Sequence, residues 1–230
     1  ETKSYLDKMN VKNIKFIGNI KFSENYEKYD DNIQKKLNLE LKKKKVWVAS
    51  STHKYEEIFC AQTHIELKKK IKNLITIIIP RHVHRAKRIV SEISRLKLKV
   101  LTHSSQIKTL KNVDIYIVDT FGETKKFHKI SSSVFLGGSI IKRGGQNPLE
   151  AARYGSNIFH GPNIENFKDV YKLLKSLKIS KSIRTPHQLA LSIKFKKNKY
   201  AGNKIKKIGE KILKKTIKEF DFLLNEIKKA

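Results

Sequence analysis

Cysteine, arginine and long apolar runs are all scarce in this chain. The one cysteine, Cys60, excludes an internal disulfide framework and suits a reducing compartment. The longest apolar runs, such as LITIII at Leu74–Ile79, fall far short of the ~20 residues that cross a bilayer, and no signal-peptide pattern opens the sequence. A soluble, cytoplasmic chain is therefore expected. Acidic residues are few, 21 against 51 lysines and arginines, giving a net charge of +30. Only seven of those 51 are arginine, the side chain on which base readout and bidentate phosphate recognition lean. Lysine is spread through every segment, which describes a solvated surface with weak, salt-sensitive attraction to polyanions and anionic membrane and no specific nucleic-acid partner.

Three motifs are missing as well. No G-x-x-x-x-G-K-[ST] is present, and no G-x-G-x-x-G follows the first strand pattern, so the ATPase and dinucleotide-oxidoreductase readings lose their support. No G-x-S-x-G supplies a nucleophile elbow. His82 and His84 lack neighbouring cysteine or carboxylate partners at ligand spacing, so no metal and no cofactor are expected.

From Val46 onward an orderly pattern emerges. Short β-branched runs recur at Val46–Ser50, Leu74–Pro80, Leu98–Thr102, Asp114–Asp119, Ser133–Gly138 and Ser156–Gly161, and helical periodicity fills stretches such as Tyr55–Lys70 and Val83–Leu96. Continuous apolar strands alternating with helices predict a parallel sheet covered on both faces, a Rossmann-like doubly wound α/β domain over residues 46–200. Residues 1–45 read as a lysine-rich inter-domain connector in which Lys15–Phe22 is a short strand or extended segment. Residues 201–230 read as one amphipathic helix, with Ile205, Ile208, Ile212, Ile217, Phe220, Leu224 and Ile227 at close to helical spacing.

In such a sheet ligands sit beyond the carboxyl ends of the strands. The first strand is followed by Ser51, Thr52 and His53, and the second ends on Pro80, Arg81 and His82. After the fourth come Thr120, Phe121, Gly122 and Glu123, and after the fifth the run GGSIIKRGGQNPLE, with Gly138, Ser139, Gly144, Gly145, Gln146, Asn147, Pro148, Leu149 and Glu150. Asn147 and Pro148 suit the N-cap and first position of a helix. Within that run two readings fit the same letters. Glu150 closes a capping box on Asn147, or the loop and helix start hold a ligand. The gathering of small, polar and cationic groups on one edge favours an anionic ligand. Glu123 and Glu150, both placed in first helical turns, would repel a bare phosphate, and they favour a nucleotide that offers sugar hydroxyls.

The segments WVASSTHKYEE, IIIPRHVHR, VDTFGE, FLGGSIIKRGGQNPLEAA and GPNIENF, in this order, closely resemble the C-terminal, donor-binding half of 3-deoxy-D-manno-octulosonic acid (Kdo) transferase. GNIKF at Gly18–Phe22 is similar to that family's inter-domain connector. The resemblance implies a GT-B glycosyltransferase fold and transfer of Kdo from CMP-Kdo to the lipid A precursor, lipid IVA, in lipopolysaccharide assembly at the cytoplasmic face of the inner membrane. It carries the CMP contacts to Pro80, Arg81, Phe121, Gly122, Glu123, Asn147, Pro148, Leu149 and Glu150. Ser51, Thr52, His53, His82, Gly138, Ser139, Gly144, Gly145 and Gln146 become neighbours of the donor site. It places the general base, a glutamate, in an N-terminal domain together with the acceptor site, so that this stretch alone binds donor without transferring it. The sequences GETKKFHKI and ARYGSN depart from the family pattern and mark a divergent member. The alternatives are a basic polyanion-binding or nucleic-acid-binding α/β domain, which predicts lysines clustered with stacking aromatics, and another nucleotide-sugar enzyme such as an epimerase.

Overall fold

A computed structural model describes residues 2–12, 14–23, 33–105 and 109–228. In chain order the elements are α1 (Thr2–Lys8), α2 (Lys35–Lys42), β1 (Lys45–Thr52), α3 (Glu56–Lys68), β2 (Leu74–Pro80), α4 (Ala86–Ser94), β3 (Val100–Thr102), β4 (Ile115–Ile117), α5 (Thr124–Ile130), β5 (Ser133–Leu136), α6 (Leu149–Arg153), β6 (Asn157–His160), α7 (Lys168–Ser176), β7 (Ser180–Ser182), α8 (Pro186–Ser192) and α9 (Lys199–Ile227). Turns of 3-10 helix lie at Ile20–Ser23, Val83–Arg85 and Glu165–Phe167. Two compact units result, one spanning Tyr29–Asn203, the other Glu1–Lys28 together with Lys204–Ala230.

The larger unit is a parallel sheet in the order β3-β4-β2-β1-β5-β6-β7. Every residue of β2, LITIIIP, is buried, which is the signature of a strand covered on both faces. Trp47 and Ala49 of β1, Ile78 of β2 and Phe135 of β5 join one core with Cys60, Ala61 and Leu67 of α3. Ala86, Ile89 and Ile93 of α4 also enter it, three and four residues apart on one helical face, while Arg88 and Glu92 pair at 2.7 Å on its exposed side. Burial raises the Cys60 thiol well above its ordinary pKa, so it stays protonated inside that core.

One polar network is buried near the amino ends of the strands. His64 Nδ1 lies 2.9 Å from Thr76 Oγ1, its Nε2 lies 3.5 Å from Asp114 Oδ1, and Lys68 pairs with the same carboxylate. Burial outweighs the Asp114 charge and holds the His64 pKa down to about 4, so the imidazole is neutral at pH 7.

The topology locates the site. From β1 the chain passes to β2, crosses to the edge strand β3 and comes back to place β4 between β3 and β2, then pairs β5 with the opposite side of β1 and proceeds outward to β6 and β7. A crevice opens where the direction reverses, beyond the carboxyl ends of β1 and β5. The sequence expectation of a doubly wound parallel sheet matches this arrangement, with β2 found at its predicted bounds and β4 shortened to three residues. β7 was not predicted, because its sequence Ser-Lys-Ser has no apolar periodicity and two of its three residues are exposed.

In the smaller unit, the segment expected as a strand or extended connector, Lys15–Phe22, holds no strand among its described residues and ends in the 3-10 turn. Its Gly18, at φ +129°, packs on Ile212 of α9, and Gly209 of α9 approaches the Phe22 carbonyl too closely to tolerate a Cβ. The Lys15 and Glu219 side chains pair at 2.5 Å. Further along α9, Ile217, Phe220, Leu224 and Ile227 are exposed, so its apolar stripe is only partly used. No helix among the described residues is long and apolar enough to cross a membrane.

Candidate functional site

β1 ends irregularly. Its pairing with β2 shifts register between Ser50 and Thr52, and Ser51 and Tyr55 hold left-handed backbone angles, φ +56° and +79°. Residues other than glycine avoid that region, so the surrounding bonds must enforce the turn. Glu56 supplies them. Its buried carboxylate accepts four backbone N–H groups: Oε2 from His53 at 3.0 Å and Gly138 at 2.7 Å, and Oε1 from Ser139 and Ile140 at 3.0 Å each. One side chain thus fastens the loop after β1 to the loop after β5.

Its neighbour Glu57 does a different task. Thr52 Oγ1 donates to Glu57 Oε1 at 3.1 Å, and the Arg85 guanidinium grips both carboxylate oxygens at 2.8 and 3.2 Å. The pair is thus bidentate and desolvated, and burial raises the Glu57 pKa against the opposing pull of Arg85. Arg81 is anchored by its backbone, whose N–H donates to the Thr52 carbonyl at 2.9 Å. Pro80, the last residue of β2, pairs with Thr52 in the sheet.

The glycine loop after β5 is held from beneath. Gly145 N–H donates to Gly138 O at 2.9 Å, Gly161 N–H donates to Ser139 Oγ at 2.8 Å, and Asn163 Nδ2 donates to the carbonyls of Ser139 and Ile140. Tyr171 Oη donates to the Gln146 carbonyl at 3.2 Å. Gly138, Gly144 and Gly145 all take left-handed angles, and a Cβ on Gly144 would strike the Asn166 amide. The segment GPNIENF and the helix α7 therefore form the floor of this loop.

The NPLE stretch resolves differently from a capping box. Asn147 Oδ1 accepts the Leu149 N–H at 3.1 Å, but α6 begins at Leu149 with Pro148 in the N-cap position, so neither the expected Asn147 cap nor Pro148 as first helical residue is found. Glu150 does not fold back onto Asn147. Its Oε1 lies 2.7 Å from Nδ1 of the buried His128 of α5. Burial alone would raise the Glu150 pKa, but the hydrogen bond and charge of His128 lower it overall. α6 has only five residues, so the helix-dipole attraction for phosphate that its start suggested carries little weight.

At the fourth strand end, Glu123 sits just before α5, not within its first turn, and bonds Lys126 Nζ at 3.0 Å. Gly122, at φ +82°, has open space around it, and Phe121 is 80% exposed.

The predicted residues consequently collect on the carboxyl edge of one sheet. Ser51 and Thr52 end β1 and His53 follows it, Pro80, Arg81 and His82 end or follow β2, Phe121–Glu123 follow β4, and Gly138 through Glu150 follow β5. Sequence reasoning missed the supporting partners Glu56, Arg85 and His128. The acidic pair in SSTHKYEE was the available signal for Glu56; nothing local pointed to His128. Among the described residues no three His, Cys, Asp or Glu side chains stand where they hold a metal ion.

A parallel sheet with a glycine loop and a band of polar and cationic groups at its switch point defines a Rossmann-like α/β domain. Comparison with known proteins narrows the class. The chain is 32% identical over 210 residues to 3-deoxy-D-manno-octulosonic acid transferase of Rickettsia bellii, covering 90% of this chain and 50% of that protein. It is 37% identical over 166 residues to the Rickettsia prowazekii transferase of the same name, covering 72% of this chain and 34% of that one. Among solved structures, the C-terminal CMP-Kdo binding domain of WaaA from Acinetobacter baumannii matches with a TM-score of 0.61 at 22% identity, over 75% of this chain and 91% of that one. No family model matches the sequence. Sequence and fold together relate the chain to the C-terminal domain of the Kdo transferases, and it spans about half the length, or less, of the curated relatives it matches.

Proposed function

We propose that the chain is the donor-binding part of a Kdo transferase, a GT-B glycosyltransferase that moves Kdo from CMP-Kdo to the lipid A precursor. The observation that carries this reading is the convergence of three strand-end clusters, 80–81, 121–123 and 147–150, on the carboxyl edge of one sheet, beside a glycine loop held rigidly from beneath. In this reading the backbone of Gly122 and the exposed ring of Phe121 border the nucleotide, and Arg81 faces its phosphodiester. Glu150 faces the ribose: with Oε1 engaged by His128, Oε2 accepts a hydroxyl hydrogen bond. Ser51, Thr52, His53, His82, Gly138, Ser139, Gly144, Gly145 and Gln146 border the transferred sugar. Transfer also needs a general base within reach of the acceptor hydroxyl, and this reading seeks it in the N-terminal domain of the GT-B fold. The lipid acceptor places the reaction at an anionic membrane surface, to which a net charge of +30 is attracted.

Calorimetric titration with CMP, UMP and AMP tests the proposal. Saturable binding selective for CMP, weakened about tenfold by Glu150→Ala, is expected for loss of one charge-assisted hydrogen bond. Absence of nucleotide binding, with polyanion binding that simply collapses as salt rises, would replace it with the basic-module reading.

A further inference from the structure

The crevice holds a second cationic focus that the nucleotide contacts leave unused. Around Gly138, at φ +66°, three side chains converge: a Cβ there would lie 3.4 Å from Arg143 Cβ, 3.4 Å from Gln146 Nε2 and 3.5 Å from His53 Cδ2. His53 Nε2 is buried and has no hydrogen-bond partner. Its ring meets His82 edge-on at 5.8 Å, and His82 in turn faces His84 at 5.6 Å. Burial first, and then the positive charges of His82, Arg143, Arg85 and Arg81, lower the His53 pKa, which reports a locally positive potential.

The two carboxylates of this region are already engaged. Glu56 is saturated by four backbone N–H groups and Glu57 by Arg85 and Thr52. Arg81 and Arg143 remain as arginines at this edge with no ion-pair partner among the described residues. A CMP-sugar whose sugar is an octulosonic acid carries two anions, a phosphodiester and a carboxylate. The planar guanidinium fork matches a carboxylate's two oxygens, and a buried ring nitrogen without a partner is satisfied by the same group.

We propose that Arg143 and His53 Nε2, with the Gln146 amide beside them and Gly138 as the floor, form a subsite for the carboxylate of the transferred sugar, separate from the nucleotide contacts. Gly138 is then required twice, for its left-handed angle and because a side chain would occupy the subsite. The inference rests on the donor-site reading above and adds to it the group that distinguishes an acidic sugar from a neutral one.

The test titrates CMP and freshly prepared CMP-Kdo into the 230-residue chain and into Arg143→Gln and His53→Phe, with melting temperatures as a check on folding. Wild type is expected to bind CMP-Kdo about tenfold more tightly than CMP, and each variant to lose most of that ratio while its CMP affinity changes less than about twofold. Arg143→Lys, which keeps charge without the fork, is expected to restore part of the ratio. Parallel weakening of both ligands would assign these side chains to the nucleotide, and an unchanged ratio would remove them from the site; either overturns the subsite while leaving the donor-site reading intact. Failure of wild type to bind CMP would instead overturn the donor-site reading, and this inference with it.

Discussion

His128 Nδ1 of α5 and Glu150 Oε1 of α6 stand 2.7 Å apart, joining the helix that follows β4 to the helix that follows β5. His128 is buried and Glu150 is half-buried, so the pair sets the direction of the Glu150 carboxylate as well as contributing to stability. In the folded chain the Glu150 pKa is lowered, so its contribution is fully present above the ordinary glutamate value of about 4.3 and is lost as pH falls below it. His128→Leu is expected to cost about 2 kcal/mol at pH 7, for a desolvated carboxylate left without its partner. The gap between the urea midpoints of wild type and variant should narrow as pH falls below about 4.3, as the wild-type Glu150 takes up a proton and the pair is lost.

Glu56 offers a sharper test of construction. Glutamine in its place keeps one acceptor oxygen, but it turns two N–H donors toward amides that are themselves donors. Glu56→Gln is expected to lose about 2–4 kcal/mol. Amide exchange at Gly138, Ser139 and Ile140 should accelerate more than exchange in β2. Protection unchanged at those three amides would show that Glu56 does not organise the loop.

The glycines separate steric from conformational need. A Cβ on Gly161 would sit 2.1 Å from the Ser139 carbonyl oxygen, whereas one on Gly122 meets nothing within 4 Å. Gly161→Ala should therefore prevent soluble folding or lower the melting temperature by well over 10 °C. Gly122→Ala should cost only about 1 kcal/mol, for its φ of +82°. Circular dichroism melts of the two variants decide the matter.

His64 predicts an acid weakness at the other end of the sheet. Its pKa is lowered from the usual 6.5 to about 4 in the folded chain. Between those values the unfolded chain binds a proton that the folded chain refuses. Stability is unaffected by this group above pH 6.5 and falls as pH drops through the window, by on the order of 3 kcal/mol in all. A urea midpoint that declines from pH 7 to pH 4.5, and a flatter decline in His64→Gln, are the expected results. Equal slopes in the two proteins would locate the acid sensitivity elsewhere.

Legibility from sequence followed burial. β2 could be read to the residue because six of its seven side chains are apolar and the strand is enclosed on both faces. β7 could not, because an exposed three-residue edge strand of serines and lysine carries no pattern. At the site, the glycines and the NPLE start were visible because they encode local backbone. The groups that hold them were not, because Glu56 reaches Gly138 across 82 positions and His128 reaches Glu150 across 22. The capping box was a fair local inference from Asn147 and Glu150, and a tertiary hydrogen bond displaced it.

The two outermost strands, β3 and β7, have three residues each beside the eight of β1. At about 3.3 Å per residue, each margin presents roughly 10 Å of unpaired main chain, and the outer strand β7 carries Lys181 at its midpoint. A stretch so short gives an incoming strand too few amides to template against, and the lysine repels its own copy. A protein whose sheet is built on buried apolar strands such as β2 thereby resists growing into fibrils through the margins of the sheet that supports its site.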